Sequence, residues 1–217
     1  MAAFKRKIVD MVSLLALAAI AGSQTFAPTD DICGYPHIPE QVDYEFLLVW
    51  GEGSETVGSG EASSFSHSMS YVQFDLKDLK AEDIKKVTLV LTHAAEPSYT
   101  NAEAKEFPIQ VRVTKAGIDE KRWNPGMGTT FAPSSSKEAL LAQASPKPPA
   151  DGKPFTVEFD LKLEAVKAAL KESNRNELCF ALTSAIDPEM AEGTIYKFYA
   201  RSAEAKLRPK LVVETND

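Results

Sequence analysis

The sequence predicts an all-β fold, an antiparallel β-sandwich of two sheets, on three observations. Apolar and polar residues alternate with a period of two along much of the chain, which is typical of strands with one buried face. The alternating runs are short, and turn residues separate them. No rhythm of strand, helix and strand is present, so a parallel α/β sheet is not expected. Residues 28–217 are predicted to form one domain, because neither half alone supplies enough strands for a sandwich.

Eight runs are predicted to be strands. In the second of them, Val72 and Phe74 share one face, and Tyr71 and Gln73 share the other. The first run is almost wholly apolar, which indicates a more fully buried strand. In chain order the runs are YEFLLVW (44–50), SYVQFDL (70–76), KVTLVLT (86–92), PIQVRVT (108–114), FTVEFDL (155–161), LCFALT (178–183), IYKFYA (195–200) and PKLVVET (209–215).

Two short helices are predicted to interrupt the strands. LEAVKAALKES (163–173) places its apolar residues at helical intervals. In SSSKEALLAQA (134–144), Ser135 stands three residues before Glu138, the spacing of a capping box. The proline-rich run that follows, SPKPPADGKP (145–154), is predicted to be a surface loop rather than a domain boundary.

The N-terminal stretch has the three-part pattern of a secretory signal peptide. Lys5, Arg6 and Lys7 form a basic head, residues 11–21 are mainly apolar, and small residues follow. We expect a signal peptide over residues 1–23, with cleavage after Ala21, Ser23 or Ala27. The protein is then secreted, periplasmic or associated with the cell surface. The alternative is an uncleaved anchor, for which the apolar stretch is short.

The charge balance argues against nucleic acid and anionic lipid as partners. The full chain has a formal net charge of −7, and removal of three basic residues and Asp10 with the signal peptide changes it to −9. An acidic exported protein has no electrostatic attraction to polyanions.

Cys33 and Cys179 are the only cysteines. An exported protein permits a disulfide, which would join the start of the mature chain to a late strand. The alternative is two unpaired thiols. No Cys-x-x-Cys spacing is present, so redox or zinc chemistry has no support.

The sequence predicts no catalytic site. His37, His67 and His93 are the only histidines and lie in unrelated contexts. The motifs of zinc proteases, serine hydrolases and phosphate-binding loops are absent. The glycine-rich run WGEGSETVGSGEASS (50–64) lacks the lysine and the following helix of a phosphate site, so a flexible loop is expected.

Asp75 and Asp160 recur in the two Phe-Asp-Leu segments. They are candidate ligands of a structural calcium ion, which takes several carboxylate and carbonyl oxygens. The alternative is that both are outward-facing polar residues ahead of a turn. No other metal or cofactor is predicted.

Trp50, Tyr99 and Trp123 are candidate carbohydrate-binding residues, because each adjoins a predicted loop. Exposed aromatic rings stack on the apolar faces of sugars, and nearby charged groups bind the hydroxyls. Lys121 and Arg122 precede Trp123 and form with it a basic and aromatic cluster suited to an acidic polysaccharide. The alternative is that these aromatic residues pack turns within the fold.

Several segments, in their order along the chain, resemble the DNRLRE-type domain family. They are SYVQFDLKDLKAEDIKKVTLVLT (70–92), RWNP (122–125), FTVEFDLKLEAVKAALKESNRNELCFALT (155–183) and FYARSAEAKLRPKLVVET (198–215), and the resemblance extends over about residues 42–215. It implies a jelly-roll-like β-sandwich without catalytic activity, of the kind found in secreted and surface proteins and beside polysaccharide lyases as carbohydrate-binding modules. The chain departs from the family in its longer stretch over residues 134–154 and in a loosened Arg-Glu element.

Two arginines lie between the last two predicted strands. Pro209 lacks an amide donor and suits the start of the final strand, and Arg208 beside it is predicted to anchor the connection by binding a carboxylate or carbonyls. Arg201 is predicted to form an ion pair with Glu204 across the turn. A ligand-binding role for Arg201 is the alternative.

The function that the sequence predicts is that of an exported, non-catalytic carbohydrate-binding module, with polysaccharide or a cell-surface component as its partner. The alternative is a structural or adhesive protein of the cell surface or matrix that mediates protein–protein contacts. The exposure of the candidate aromatic residues separates the two.

Overall fold

The computed structural model describes residues 22–34, 45–51, 67–123, 130–134, 136–186 and 195–216. Within them the chain forms eleven strands and two short α-helices, and the predicted all-β antiparallel sandwich is confirmed. The helices are α1 (Asn101–Glu106) and α2 (Leu163–Glu172). The strands are β1 (Ser23–Phe26), β2 (Pro28–Gly34), β3 (Phe46–Gly51), β4 (His67–Asp75), β5 (Ile84–His93), β6 (Ile109–Thr114), β7 (Leu140–Ala144), β8 (Phe155–Asp160), β9 (Glu177–Thr183), β10 (Tyr196–Tyr199) and β11 (Lys210–Thr215).

The strands form two layers that are joined at one corner. In the first layer β5 lies between β11 and β8, β1 pairs with β11, and β10 connects the end of β5 to β3. In the second layer β4 lies between β2 and β9, and β6 and β7 continue beyond β9. All of these pairs are antiparallel. Pairing of Trp50 in β3 with Ser68 in β4 joins the two layers.

The main core lies between the two layers. Alternate side chains of each strand point inward, and Phe74 of β4 meets Phe180 of β9 with ring centroids 6.0 Å apart. Helix α2 is amphipathic and covers one end of this core with Val166 and Leu170, both buried.

A second, smaller apolar cluster lies on the outer face of the second layer. The residues that follow β6, described here over 115–123 and 130–134 and called the covering segment, lie across this face. Gln73 of β4 holds the segment: its Oε1 accepts from the N–H groups of Gly117 and Ile118 at 2.6 and 3.0 Å. The cluster consists of Ile32, Met69, Tyr71, Ile118, Phe131, Cys179 and Ala181.

All eight predicted strands are present, but the helix predicted over residues 134–144 is wrong. Leu140–Ala144 forms β7, which pairs with β6 and places Leu141 in the main core. Pairing with an open sheet edge outweighs the helical propensity of the leucines and alanines. Ser135, the predicted cap, lies outside the described residues. The second helix is instead α1, which Thr100 and Glu103 begin with a capping box.

The N-terminal strands β1 and β2 have no counterpart in the prediction. Four residues of β1, ahead of residue 28, pair with β11, and the carbonyl of Gly22 accepts from both the backbone N–H and the hydroxyl of Thr215 at 2.8 Å. Most of the predicted signal peptide, residues 1–21, lies outside the described residues. Neither α1 nor α2 has the length or the apolar composition that a membrane span requires.

The disulfide that the sequence permits between Cys33 and Cys179 is absent: neither cysteine is disulfide-bonded, and both are buried. Cys33 lies opposite Ser70 of β4, whereas Cys179 lies opposite Gln73. Because these β4 positions differ by three residues, the two cysteines point to opposite faces of the second layer. The Cys33 thiol faces β3, where it accepts from the N–H of Leu48, and Cys179 belongs to the outer cluster. They cannot reach disulfide geometry.

Candidate functional site

A short 3₁₀ turn in the covering segment, Glu120–Arg122, carries the predicted basic residues. Asp119 begins it by accepting from the N–H of Lys121 at 3.0 Å, as N-terminal caps do. The Asp119 carboxylate also pairs with Arg122 at 3.3 Å, although 82% of the Arg122 side chain is exposed. An ion pair so open to water contributes little stability, so Arg122 can exchange its partner at low cost.

Trp123 follows the turn and packs on the outer cluster. Its ring lies 5.5 Å from that of Tyr71 and 5.9 Å from that of Phe131, and the residue stays half-buried. Gly34 of β2 leaves room for this packing, since a Cβ there would lie 3.7 Å from the indole and 3.3 Å from the Tyr71 ring. The ring is therefore held in place and keeps part of its surface in contact with solvent.

Arg201 ties this turn to the rest of the fold. Its Nε donates to Oε2 of Glu120 at 2.7 Å, and its backbone N–H donates to Oδ2 of Asp31 at 2.6 Å. Asp30 adds a further link by accepting from the N–H of Glu120 at 3.3 Å. The predicted Arg201–Glu204 ion pair is therefore wrong, because the nearby partners of Arg201 come from β2 and the covering segment.

Glu204 pairs with Lys206 at 3.0 Å. The anchoring role predicted for Arg208 is confirmed, since its Nε donates to the carbonyl of Ala203 at 2.7 Å. The connection between β10 and β11 is thus held by Arg208 within itself and by Arg201 across the fold.

The carboxylates around Arg201 differ in their surroundings. Asp31 is only 2% exposed, and this burial raises its pKa to about 6, with the charges of Glu120 and Asp30 adding to the effect. The N–H group and the guanidinium of Arg201 oppose the rise. Asp31 therefore begins to take up a proton under mildly acidic conditions.

The structure thus brings together four of the six predicted ligand-binding residues, which we call the basic–aromatic turn: Lys121, Arg122, Trp123 and Arg201. Lys121 and Arg122 are exposed. In contrast, Arg201 is held by carboxylates and positions the turn rather than pointing freely to solvent.

The other two predicted aromatic residues lie elsewhere. Tyr99 is 4% exposed and packs in the main core against His93 and Tyr196, so it has no surface on which a sugar could stack. Trp50 is half-buried at the corner between β3 and β4, where it packs on the main core. The three aromatic residues therefore do not form one exposed face.

The two candidate calcium ligands are also far apart in the topology. Asp75 ends β4 in the second layer and accepts from the N–H of Lys77 at 2.8 Å. Asp160 ends β8 in the first layer and binds Lys86 and Thr88. No cluster of three or more histidine, cysteine or acidic side chains suited to a metal ion occurs in the described part of the chain.

His93 is a buried structural residue. Its Nδ1 lies 2.8 Å from the carbonyl of Ala94, and its Nε2 accepts from the N–H of Lys197 at 3.1 Å, which together define the neutral tautomer with the proton on Nδ1. Burial lowers the pKa of His93 to about 4. The side chain links β5 to β10 and stacks on Phe155 at 5.1 Å, so it faces no open site. His67 and His37 give no further site, since the His67 side chain and the whole of His37 lie outside the described structure.

A groove of about 860 Å³ lies between α2 and the covering segment, and sequence reasoning missed it. Buried Leu178 and Cys179 lie at its base. The groove joins residues from three separate stretches of the chain, 113–117, 132–139 and 165–179. The one local signal in the sequence was the run of alanines on α2, at positions 165, 168 and 169. Its polar side chains include Lys115, Glu138, Glu172, Asn174, Arg175 and Glu177.

Comparison with known proteins adds no assignment. No protein-family model matches the chain, and a search of curated proteins gave no significant match.

Proposed function

We propose that the protein is an exported, non-catalytic carbohydrate-binding module of DNRLRE type that contacts polysaccharide through the basic–aromatic turn. The observation that carries this proposal is the assembly of Lys121, Arg122 and Trp123 on one exposed turn, with Arg201 holding it from behind. A β-sandwich supplies the rigid support that such a surface requires.

The Trp123 ring suits stacking on a sugar because it is already fixed. Tyr71 and Phe131 hold the indole while part of it remains exposed, so binding loses little side-chain entropy. The apolar face of a pyranose can then cover the exposed part of the ring.

The charges of the turn favour an acidic polysaccharide. Lys121 has no ion-pair partner among the described residues, and the pair of Arg122 with Asp119 is open to water. A carboxylate on the sugar can bind Lys121 and replace Asp119 on Arg122, and a guanidinium binds a carboxylate with two parallel hydrogen bonds. Arg201 does not take part directly, because Glu120 and Asp31 occupy it.

Affinity electrophoresis in gels that contain alginate or polygalacturonate tests the proposal. We expect these gels to retard the exported protein, and we expect Trp123→Ala and the double variant Lys121→Ala/Arg122→Ala each to bind about tenfold more weakly, as loss of ~1.4 kcal/mol requires. The double variant Lys80→Ala/Lys147→Ala removes the same charge at exposed positions elsewhere and is expected to bind as the parent does.

Trp123→Ala also removes packing from the outer cluster, so its thermal unfolding must be measured alongside. The charge variant touches no core residue and keeps the test decisive if Trp123→Ala unfolds. The proposal fails if neither acidic polysaccharide retards the parent. It also fails if Lys121→Ala/Arg122→Ala binds as tightly as the control Lys80→Ala/Lys147→Ala.

A further inference from the structure

The groove between α2 and the covering segment differs from the basic–aromatic turn in its charges. In the turn, two of the three cations are already paired with carboxylates. In the groove, Lys115, Arg175, Glu172 and Glu177 form no ion pair with any described residue. Charged side chains that line a concave surface without partners are available to a ligand.

Both signs of charge line the groove, and this selects the chemistry of the ligand. Two cations, Lys115 and Arg175, face the same space as three carboxylates, those of Glu138, Glu172 and Glu177. An anionic ligand and a cationic ligand each find like charges among the side chains of the groove. A hydroxyl group suits both, because it donates to a carboxylate and accepts from an ammonium or a guanidinium group.

The walls give the groove its width. Ala165, Ala168 and Ala169 point from one face of α2, with Glu172 one turn further along the same face. Their methyl groups leave room and offer apolar contact to the C–H faces of a sugar ring. The volume of about 860 Å³ falls within the range of about 300–1,000 Å³ that is common for ligand sites.

We propose that this groove binds a segment of an uncharged, hydroxyl-rich polysaccharide, as a second contact region beside the basic–aromatic turn. The inference rests on the proposed carbohydrate-binding function but shares none of its residues. It assigns neutral sugar units to the groove and acidic ones to the turn.

Substitution of Ala168 tests the groove directly. Ala168 is exposed on α2, so Ala168→Trp fills the groove without entering the main core. Ala150→Trp, in the exposed proline-rich loop, is the matched control. The probes are hydroxyethylcellulose, galactomannan and xylan for neutral chains, and alginate for an acidic chain, each in affinity electrophoresis. Thermal unfolding of each variant confirms that it is folded.

We expect at least one neutral polysaccharide to retard the parent protein, and Ala168→Trp to bind it at least tenfold more weakly than Ala150→Trp does. A second variant, Glu172→Gln/Arg175→Gln, keeps the shape of the groove and is expected to weaken the same binding about threefold or more. Alginate binding is expected to persist in both groove variants.

The two proposals fail separately. The groove proposal is overturned if Ala168→Trp and Ala150→Trp bind neutral polysaccharide equally, or if no neutral polysaccharide retards the parent. Alginate binding by the parent would still support the turn. If the parent does not bind alginate but binds a neutral polysaccharide, and Ala168→Trp abolishes that binding, the proposal for the turn is overturned and the proposal for the groove is supported.

Discussion

Asp31 gives the fold a dependence on pH that can be isolated by one substitution. Its pKa is raised to about 6 from an ordinary value of 3.8, chiefly because it is buried. Between these two values the native state keeps a proton that the unfolded state has released, so stability falls as pH rises. The slope approaches ~1.4 kcal/mol per pH unit, and over the full interval the change amounts to ~3 kcal/mol.

The variant Asp31→Asn cannot titrate, so it lacks this contribution. The difference in unfolding free energy, variant minus parent, is therefore expected to grow by ~2.5 kcal/mol between pH 4 and pH 7, because only the parent is penalised by a buried charge. Urea unfolding at one-unit pH steps, followed by circular dichroism, measures it. Titrating groups distant from Asp31 occur in both proteins and cancel in the difference.

Asp160→Asn is the control for this prediction. Lys86 and Thr88 lower the pKa of the exposed Asp160, so its contribution is lost only as pH falls below the ordinary range of aspartate. Its difference from the parent is expected to stay flat between pH 5 and pH 7. A flat difference for Asp31→Asn over pH 4 to pH 7, or one that shrinks as pH rises, would refute the reasoning about burial.

Three further predictions concern other parts of the fold. His93→Phe removes the acceptor of the Lys197 N–H and is expected to lower the free energy of unfolding by ~2 kcal/mol, measured with urea at pH 7. In the parent, buried neutral His93 lowers stability as pH falls from about 6.5 to 4, and His93→Phe is expected to lack this loss. The proposed signal peptide is expected to be cleaved after Ala21, as intact-mass analysis after expression in an exporting host would show, because later cleavage shortens or removes Ser23–Phe26, whose deletion should cost ~2 kcal/mol. Gln73→Leu removes the hydrogen bonds that hold the covering segment, and hydrogen exchange there should quicken at least tenfold while exchange in β5 is unchanged.

The pH dependence of the parent's stability combines the contributions of Asp31 and His93. Over about pH 4 to 6, Asp31 makes the fold more stable as pH falls, and His93 makes it less stable. The two slopes offset each other, so the parent is expected to vary little there. Either substitution alone should then reveal the dependence of the other residue.

Strands could be predicted because their signal is local. In FTVEFDL, Val157 and Phe159 point into the main core while Thr156 and Glu158 point outward, as the alternation predicts. The run over residues 134–144 misled because alanine and leucine favour helices, whereas the open edge of β6 was invisible in the sequence. Strands β1 and β2 lack clear alternation in SQTF and PTDDICG.

Site residues were predictable where they are neighbours in the chain and not where the fold brings distant residues together. Lys121, Arg122 and Trp123 are neighbours in the chain, so their cluster was visible before the fold was known. The contact of Arg201 with Asp31 spans 170 positions, and only the strand order brings the two together. The nearer Glu204 was a reasonable but wrong partner. The groove was missed for the same reason, since its walls come from distant segments.

The covering segment explains why a polar outer face was predicted where a buried one exists. Tyr71 and Gln73 alternate with apolar residues, which normally marks a solvent-facing side, yet both are buried beneath this segment. Each has an apolar body and a polar end, and Gln73 uses its end to hold Gly117 and Ile118. The segment presents the basic–aromatic turn and forms one wall of the groove. Both proposed contact regions therefore depend on a single buried glutamine of β4, and Gln73→Leu should weaken acidic and neutral polysaccharide binding together.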